Sequence, residues 1–114
     1  MKEYKLDNYK VRLKKSEYAN GKSLYVGLDY YDDEFNTYLP YDHVTANIAD
    51  ADIPAEGNRA YVKCSDAFGG TSQYPEWLEQ EGIATSEEVY AQSGFNTYVL
   101  MDFSSSVDDM KVVH

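Results

Sequence analysis

Few residues in this chain are of a type and spacing that could do covalent chemistry. Asp42-His43 sets an acid beside an imidazole, and Cys64 is the one thiol. Neighbours on a strand point to opposite faces, so Asp42 and His43 do not form a dyad there, and His43 reads as an edge histidine. Cys64 alternates with Ala60 and Val62, which places it inward as a structural thiol rather than a nucleophile. Acid pairs are abundant enough for glycosidase-like chemistry, yet none is singled out by its spacing. Two histidines and one cysteine cannot close a soft-ligand zinc site. Asp29, Asp32, Asp33, Glu34 and Asn36 offer oxygen ligands, but not at the spacing of an EF-hand loop, and they lack its glycine. No phosphate loop, dinucleotide fingerprint or nucleophile elbow is present. The expectation is a chain with no catalytic residue, no metal and no cofactor.

What remains is a run of acids interleaved with tyrosines: Asp29-Tyr30-Tyr31-Asp32-Asp33-Glu34, then Tyr38 to Asp42. Carboxylates spread over a surface imitate the charge of phosphates, and tyrosine rings stack on guanidinium groups as bases do. Such a face is drawn to a basic groove. The plainer reading makes half of the tyrosines core, and alternation does put Tyr9 and Tyr30 inward.

Composition agrees with a binder. The net charge is −10, and the chain holds twelve tyrosines, a residue suited to binding surfaces. An acidic protein avoids nucleic acid and membrane surfaces and is steered towards basic ones. The charge is unevenly placed: residues 1–22 hold seven bases and three acids, whereas residues 23–114 hold three bases and seventeen acids. At 114 residues and 43% hydrophobic, the chain suits one domain with one modest core. No apolar run is long enough to span a bilayer and Met1–Lys5 lacks a signal core, so a cytoplasmic protein is the default expectation. A lone cysteine suits a reducing compartment.

The elements that must position this face are partly readable. Tyr9, Val11 and Leu13 alternate with Lys10, Arg12 and Lys14, a half-buried strand. Asn20-Gly21 is a hairpin turn signal, and Leu24, Val26, Leu28 and Tyr30 form the next apolar row. A two-residue turn there sets Leu13 opposite Leu28, Val11 opposite Tyr30, Arg12 opposite Asp29 and Lys10 opposite Tyr31, with both apolar rows on one face. Asp32-Asp33-Glu34 is a loop. Residues 36–48 return as a strand with Val44, Ala46 and Ile48 inward, and Pro40 marks a break or an edge. Residues 50–58 form a loop, Ala60 to Cys64 a short strand, and Phe68-Gly69-Gly70 a turn.

Tyr74 to Glu81 reads as a short helix, with Pro75 at its start, Gly82 at its end, and Trp77 and Leu78 anchoring it. Thr85 to Glu88 has the spacing of a capping box opening a second helix that ends by Gly94. Residues 95–103 alternate as a final strand, and the tail 104–114 is a short helix or a frayed end.

Pro75-Glu76-Trp77-Leu78-Glu79-Gln80-Glu81-Gly82-Ile83-Ala84, then Gln92-Ser93-Gly94-Phe95-Asn96-Thr97-Tyr98, resembles a family of small proteins carried by conjugative elements and phages of gut and oral Firmicutes. The hairpin around Ser16-Glu17-Tyr18-Ala19-Asn20-Gly21 is similar to the same family. The chain also resembles the type II-A anti-CRISPR proteins found on such elements. The resemblance implies a non-enzymatic inhibitor of a type II RNA-guided nuclease, whose guide and target lie in a positively charged channel. The partner is then that nuclease or its guide-RNA complex, with no direct nucleic-acid binding and no membrane. The residues expected to bind it are Asp29, Asp32, Asp33, Glu34 and Asp42, with Tyr31, Tyr38 and Tyr41 as stacking partners. A second acidic cluster, Glu76, Glu79, Glu81, Glu87 and Glu88, is the substitute. The rival readings are an accessory conjugation or anti-restriction protein acting on another basic partner, and a small hydrolase using an acidic pair.

The architecture expected is an α+β domain over residues 1–114. It comprises a twisted antiparallel sheet of four or five strands with one or two short helices, an N-terminal hairpin (9–31), a helical segment (74–93) and a final strand (95–103).

Overall fold

A computed structural model describes residues 2–18, 23–48, 50–64 and 73–113. The alternating segments become strands β1 (Glu3–Leu6), β2 (Tyr9–Glu17), β3 (Leu24–Asp32), β4 (Thr37–His43), β5 (Thr45–Ala46) and β6 (Arg59–Lys63). Helix α1 (Tyr74–Gln80) follows, then β7 (Thr85–Ser93), β8 (Asn96–Asp102), a 3-10 turn (Val107–Asp109) and β9 (Lys111–Val112). The nine strands among the described residues form two sheets. One runs β1-β2-β3-β4 with β9 beside β2; the other runs β5-β6-β8-β7. Among the described residues the protein is therefore mostly antiparallel sheet with one α-helix, a mainly-β arrangement larger than the single sheet expected.

The register of β2 and β3 is the one the sequence dictates. Val11 faces Tyr30, Arg12 faces Asp29 and Leu13 faces Leu28. The Asn20-Gly21 turn lies outside the described residues, as does Phe68-Gly69-Gly70. β1 is an unforeseen strand, joined to β2 by a two-residue turn at Asp7-Asn8, with Asp7 at φ 53°. Pro40 sits in edge strand β4, beside a bulge opposite Leu28 and Asp29.

One core receives both sheets. Leu6, Val11, Leu13, Leu24, Val26 and Leu28 of the first sheet meet Ala60, Val62, Val99 and Met101 of the second. Burying each larger aliphatic side chain stabilises by about 1.5–3 kcal/mol. Tyr74, Trp77 and Leu78 seal one end of this core from α1. Gly82, at φ 69°, ends that helix. Its N–H donates to the Glu79 carbonyl and that of Ile83 to the Leu78 carbonyl, at 3.1 and 2.8 Å, the paired bonds of a Schellman cap.

The chain passes between sheets at Val44. Its N–H donates to the Val26 carbonyl at 2.9 Å and its carbonyl accepts the Lys63 N–H at 3.3 Å. The ladder is broken here, and the buried Thr45 hydroxyl mends it by accepting the Val26 N–H at 3.1 Å while bonding the Tyr18 hydroxyl at 2.9 Å. Thr45→Val strands that N–H, so we expect it to cost about 1–3 kcal/mol whereas Thr45→Ser costs less. Urea unfolding followed by Trp77 fluorescence measures both; equal stability of Thr45→Val and the wild type would contradict the bond's role.

In the second half of the chain one expectation fails, and that of a short helix in the tail is met only by the 3-10 turn. Thr85 to Ser93 is a strand and not a second helix: Thr85 pairs with Asp102, Ser86 with Met101, and residues 90–93 with 96–99. Glu88 stands at φ 58° and its N–H bonds to Ser86 Oγ at 3.1 Å, so the capping-box residues form a bulge instead. A partner strand already built at β8 outweighs a local helix start signal. The tail is ordered against β2, with Lys111 and Val112 in parallel pairing with Lys14 and Lys15 and the Val113 N–H on the Lys15 carbonyl at 2.9 Å. Among the described residues no helix is long and apolar enough to cross a membrane.

Candidate functional site

The eight residues expected to make one acidic, aromatic face are divided among five places. Asp29 is displayed nowhere. It is only 7% exposed, under Lys14 Nζ at 2.7 Å and Arg12 Nε at 3.6 Å. The strand pairing that sets Arg12 opposite Asp29 is what withdraws it.

Tyr31 and Tyr38 do meet, edge to face with ring centroids 5.3 Å apart. They lie on the outer face of the first sheet, however, among the bases of β2. The Arg12 guanidinium sits 4.1 Å above the Tyr38 ring and Lys10 Nζ 4.9 Å above Tyr31. The cations expected from a partner are thus supplied by the chain itself. The hydroxyls are engaged too, Tyr31 donating to Asn36 Oδ1 and Tyr38 to Glu3 Oε2. Burial, and then the bond to Glu3, push the Tyr38 hydroxyl up to about 12.

Tyr41 lies on the opposite side. It packs with Tyr9 and Tyr30, centroids 5.5 and 5.8 Å away, against the core. Tyr9, expected inward, is 41% exposed at the edge of this trio.

Asp42 is held by Lys63 Nζ at 3.1 Å and by the Tyr74 hydroxyl, which donates to its Oδ2 at 2.6 Å. Burial works against its charge, but the bonds from Tyr74 and Lys63 outweigh it and keep the carboxyl below its ordinary range. It accepts the main-chain N–H of His43, at 2.8 Å. Its carboxylate is thus committed to a structural cluster. The bulge at Leu28 and Asp29 shifts the β4 register and carries Asp42 round to that cluster.

Only Asp32, Asp33 and Glu34 stay together, at the β3–β4 turn. Asp32 Oδ1 accepts the N–H groups of Glu34 and Phe35 at 2.8 and 3.1 Å, so it shapes the turn. Asp33 and Glu34 are exposed, with Phe35 beside them.

The larger acidic surface is the substitute cluster and its neighbours. Glu76, Glu79, Glu81, Glu87, Glu88, Asp108 and Asp109 are all exposed. Glu79 Oε2 accepts the Ser86 N–H at 3.3 Å, joining α1 to β7. Ser105 and Ser106 hydroxyls donate to the Gly82 and Ile83 carbonyls at 3.1 and 2.7 Å, which brings the 3-10 turn against the end of α1. Burial, and then the charges of Asp109 and Glu81, push the Tyr4 hydroxyl up. Asp108 and Asp109 were not singled out in the sequence, although they are adjacent acids followed by the single base of residues 73–113, Lys111. Arg59 meets Glu87 at 3.4 Å, an exposed pair of small value.

Cys64 is free and half-buried, and burial pushes its thiol up, which makes it less reactive. No group of three or more His, Cys, Asp or Glu residues is arranged for a metal among the described residues.

The family model described as Domain of unknown function (DUF4313) matches residues 12–112. The chain belongs to the DUF4313 family. The matched stretch begins on β2 and ends on β9, two strands that are neighbours in space. No curated protein and no solved structure matches the chain.

Proposed function

We propose that this DUF4313 protein is a non-enzymatic inhibitor that docks an acidic surface in a basic groove of a type II RNA-guided nuclease, in competition with guide RNA or target DNA. The observation that carries the reading is the segregation of charge. The exposed carboxylates of α1, the start of β7 and the 3-10 turn gather round one end of the core, with Lys2 beside them over the Tyr4 ring, while Lys10, Arg12 and Lys14 lie on the outer face of the first sheet. A surface so polarised is steered, acids first, into a cationic channel. Asp33 and Glu34 form a separate, smaller outpost.

The test is charge reversal in a DNA-cleavage assay. A variant with Glu76, Glu79, Glu81, Asp108 and Asp109 all changed to Lys is expected to lose about tenfold or more in inhibitory potency, and wild-type inhibition is expected to weaken steeply with added salt. Reversing Asp33 and Glu34 alone has a smaller effect. Inhibition indifferent to the five reversals would end this reading of the surface. Capture of a different basic partner, with the nuclease untouched, would favour the accessory conjugation or anti-restriction protein.

A further inference from the structure

We propose that β7 is a dimerisation strand, pairing antiparallel with β7 of a second copy to join two four-stranded sheets into one. Every sheet edge is a template for another strand unless something blunts it. β4 carries Pro40 and a bulge, β5 and β9 have two residues each, and β1 has four with Lys5 exposed among them. β7 has nine residues. Its first half is blunted by Glu87, Glu88 and the shift in register between Ser86 and Tyr90. Its second half, Tyr90 to Ser93, has no proline, bulge or charge.

The main chain there is turned the right way. Ser93 and Asn96 close a two-residue turn at Gly94-Phe95, with Gly94 at φ 64°. Pairs in an antiparallel ladder alternate between bonded and open. Ser93 and Ala91 therefore bond to β8, and Tyr90 and Gln92 direct their N–H and C=O groups outward. Thr97, opposite Gln92, sends its carbonyl the other way, to the Cys64 N–H at 2.9 Å, as that alternation demands.

Charge selects the occupant. Two copies at −10 each repel. From Val89 to Met101, however, no side chain is charged; the acids beside this edge are Asp50 and Asp52, which line a groove with Val89–Gln92, so two copies can meet here once salt screens them. A two-fold axis through Ala91 pairs Tyr90 with the second copy's Gln92 and the reverse, as isologous symmetry requires, and the pairing stops before Glu88. Tyr90 is 64% exposed and Phe95 fully exposed, leaving apolar area for the second copy to cover.

Sedimentation of the full chain from low micromolar to near-millimolar concentration tests this. The mass is expected to rise from 13.0 kDa towards twice that value, and to rise further with salt, which screens the repulsion. Gln92→Pro deletes one outward N–H at an edge position that tolerates proline. Gln92→Glu adds like charge at the joint and leaves the fold alone. Both are expected to weaken association about tenfold or more, with unchanged far-UV circular dichroism. A wild type that stays at 13.0 kDa throughout overturns the proposal. So does a folded Gln92→Pro that associates as the wild type does; if Gln92→Pro fails to fold, Gln92→Glu decides in the same way.

Discussion

Replacing Trp77 with alanine is expected to cost about 3–5 kcal/mol, a large part of the roughly 5–15 kcal/mol that holds a domain together. Trp77 is 5% exposed in the core that both sheets share. Its Nε1–H donates to the Lys5 carbonyl at 2.9 Å, and the Tyr4 ring meets it edge-on with centroids 6.2 Å apart. The indole therefore fills volume and also ties α1 to β1. Trp77→Phe separates these roles. It keeps most of the volume but strands the Lys5 carbonyl, so about 1–3 kcal/mol is expected. Thermal unfolding followed by circular dichroism is the measurement, since the variants lack the one tryptophan. For Trp77→Ala the midpoint should fall by at least about 12 °C. A fall of only a few degrees would mean that α1 is not anchored as described.

The second large effect belongs to Asp42, Lys63 and Tyr74. Asp42→Asn removes the charge that Lys63 faces at 3.1 Å and weakens the acceptor of the Tyr74 hydroxyl. The site keeps some contact with solvent, so we expect about 2–3 kcal/mol at neutral pH, below the range for fully buried pairs. The pH dependence has a definite sign. Folding holds this carboxyl below its ordinary value, so its contribution is complete above the unfolded-state pKa of about 4 and fades as the pH falls through the lower folded value. The gap between wild type and Asp42→Asn should therefore close on acidification. Tyr74→Phe should be non-additive with Asp42→Asn, with a coupling of about 0.5–3 kcal/mol. A gap independent of pH would show that the carboxylate's charge is not what matters.

The legible parts of the fold are those where two independent signals agree. The β2–β3 register follows from alternation together with the Asn-Gly spacing, and every pair observed obeys it. α1 follows from Pro75 and Gly82 together. β7 was not legible because Thr85 and Glu88 suit a helix cap and a bulge equally well, and only β8 decides between them. The site was legible in composition but not in direction. The register already sets Arg12 against Asp29 and Lys10 against Tyr31, so the sequence contained the reason those residues do not form a free acidic face. Asp42 was harder, since the bulge that redirects it has no local sign except Pro40. The joining of α1 to the 3-10 turn through Ser105 and Ser106 is a tertiary fact that no periodicity carries.

The parallel pairing of β9 with β2 couples almost the two extremes of the described chain. Loop closure over such a separation is entropically expensive and slows folding. During synthesis β2 emerges early and then waits, its edge half-covered by β1, until Lys111 and Val112 arrive. The protein is thus expected to show a late kinetic phase set by docking of its last strand, and to be most prone to aggregate just before that step.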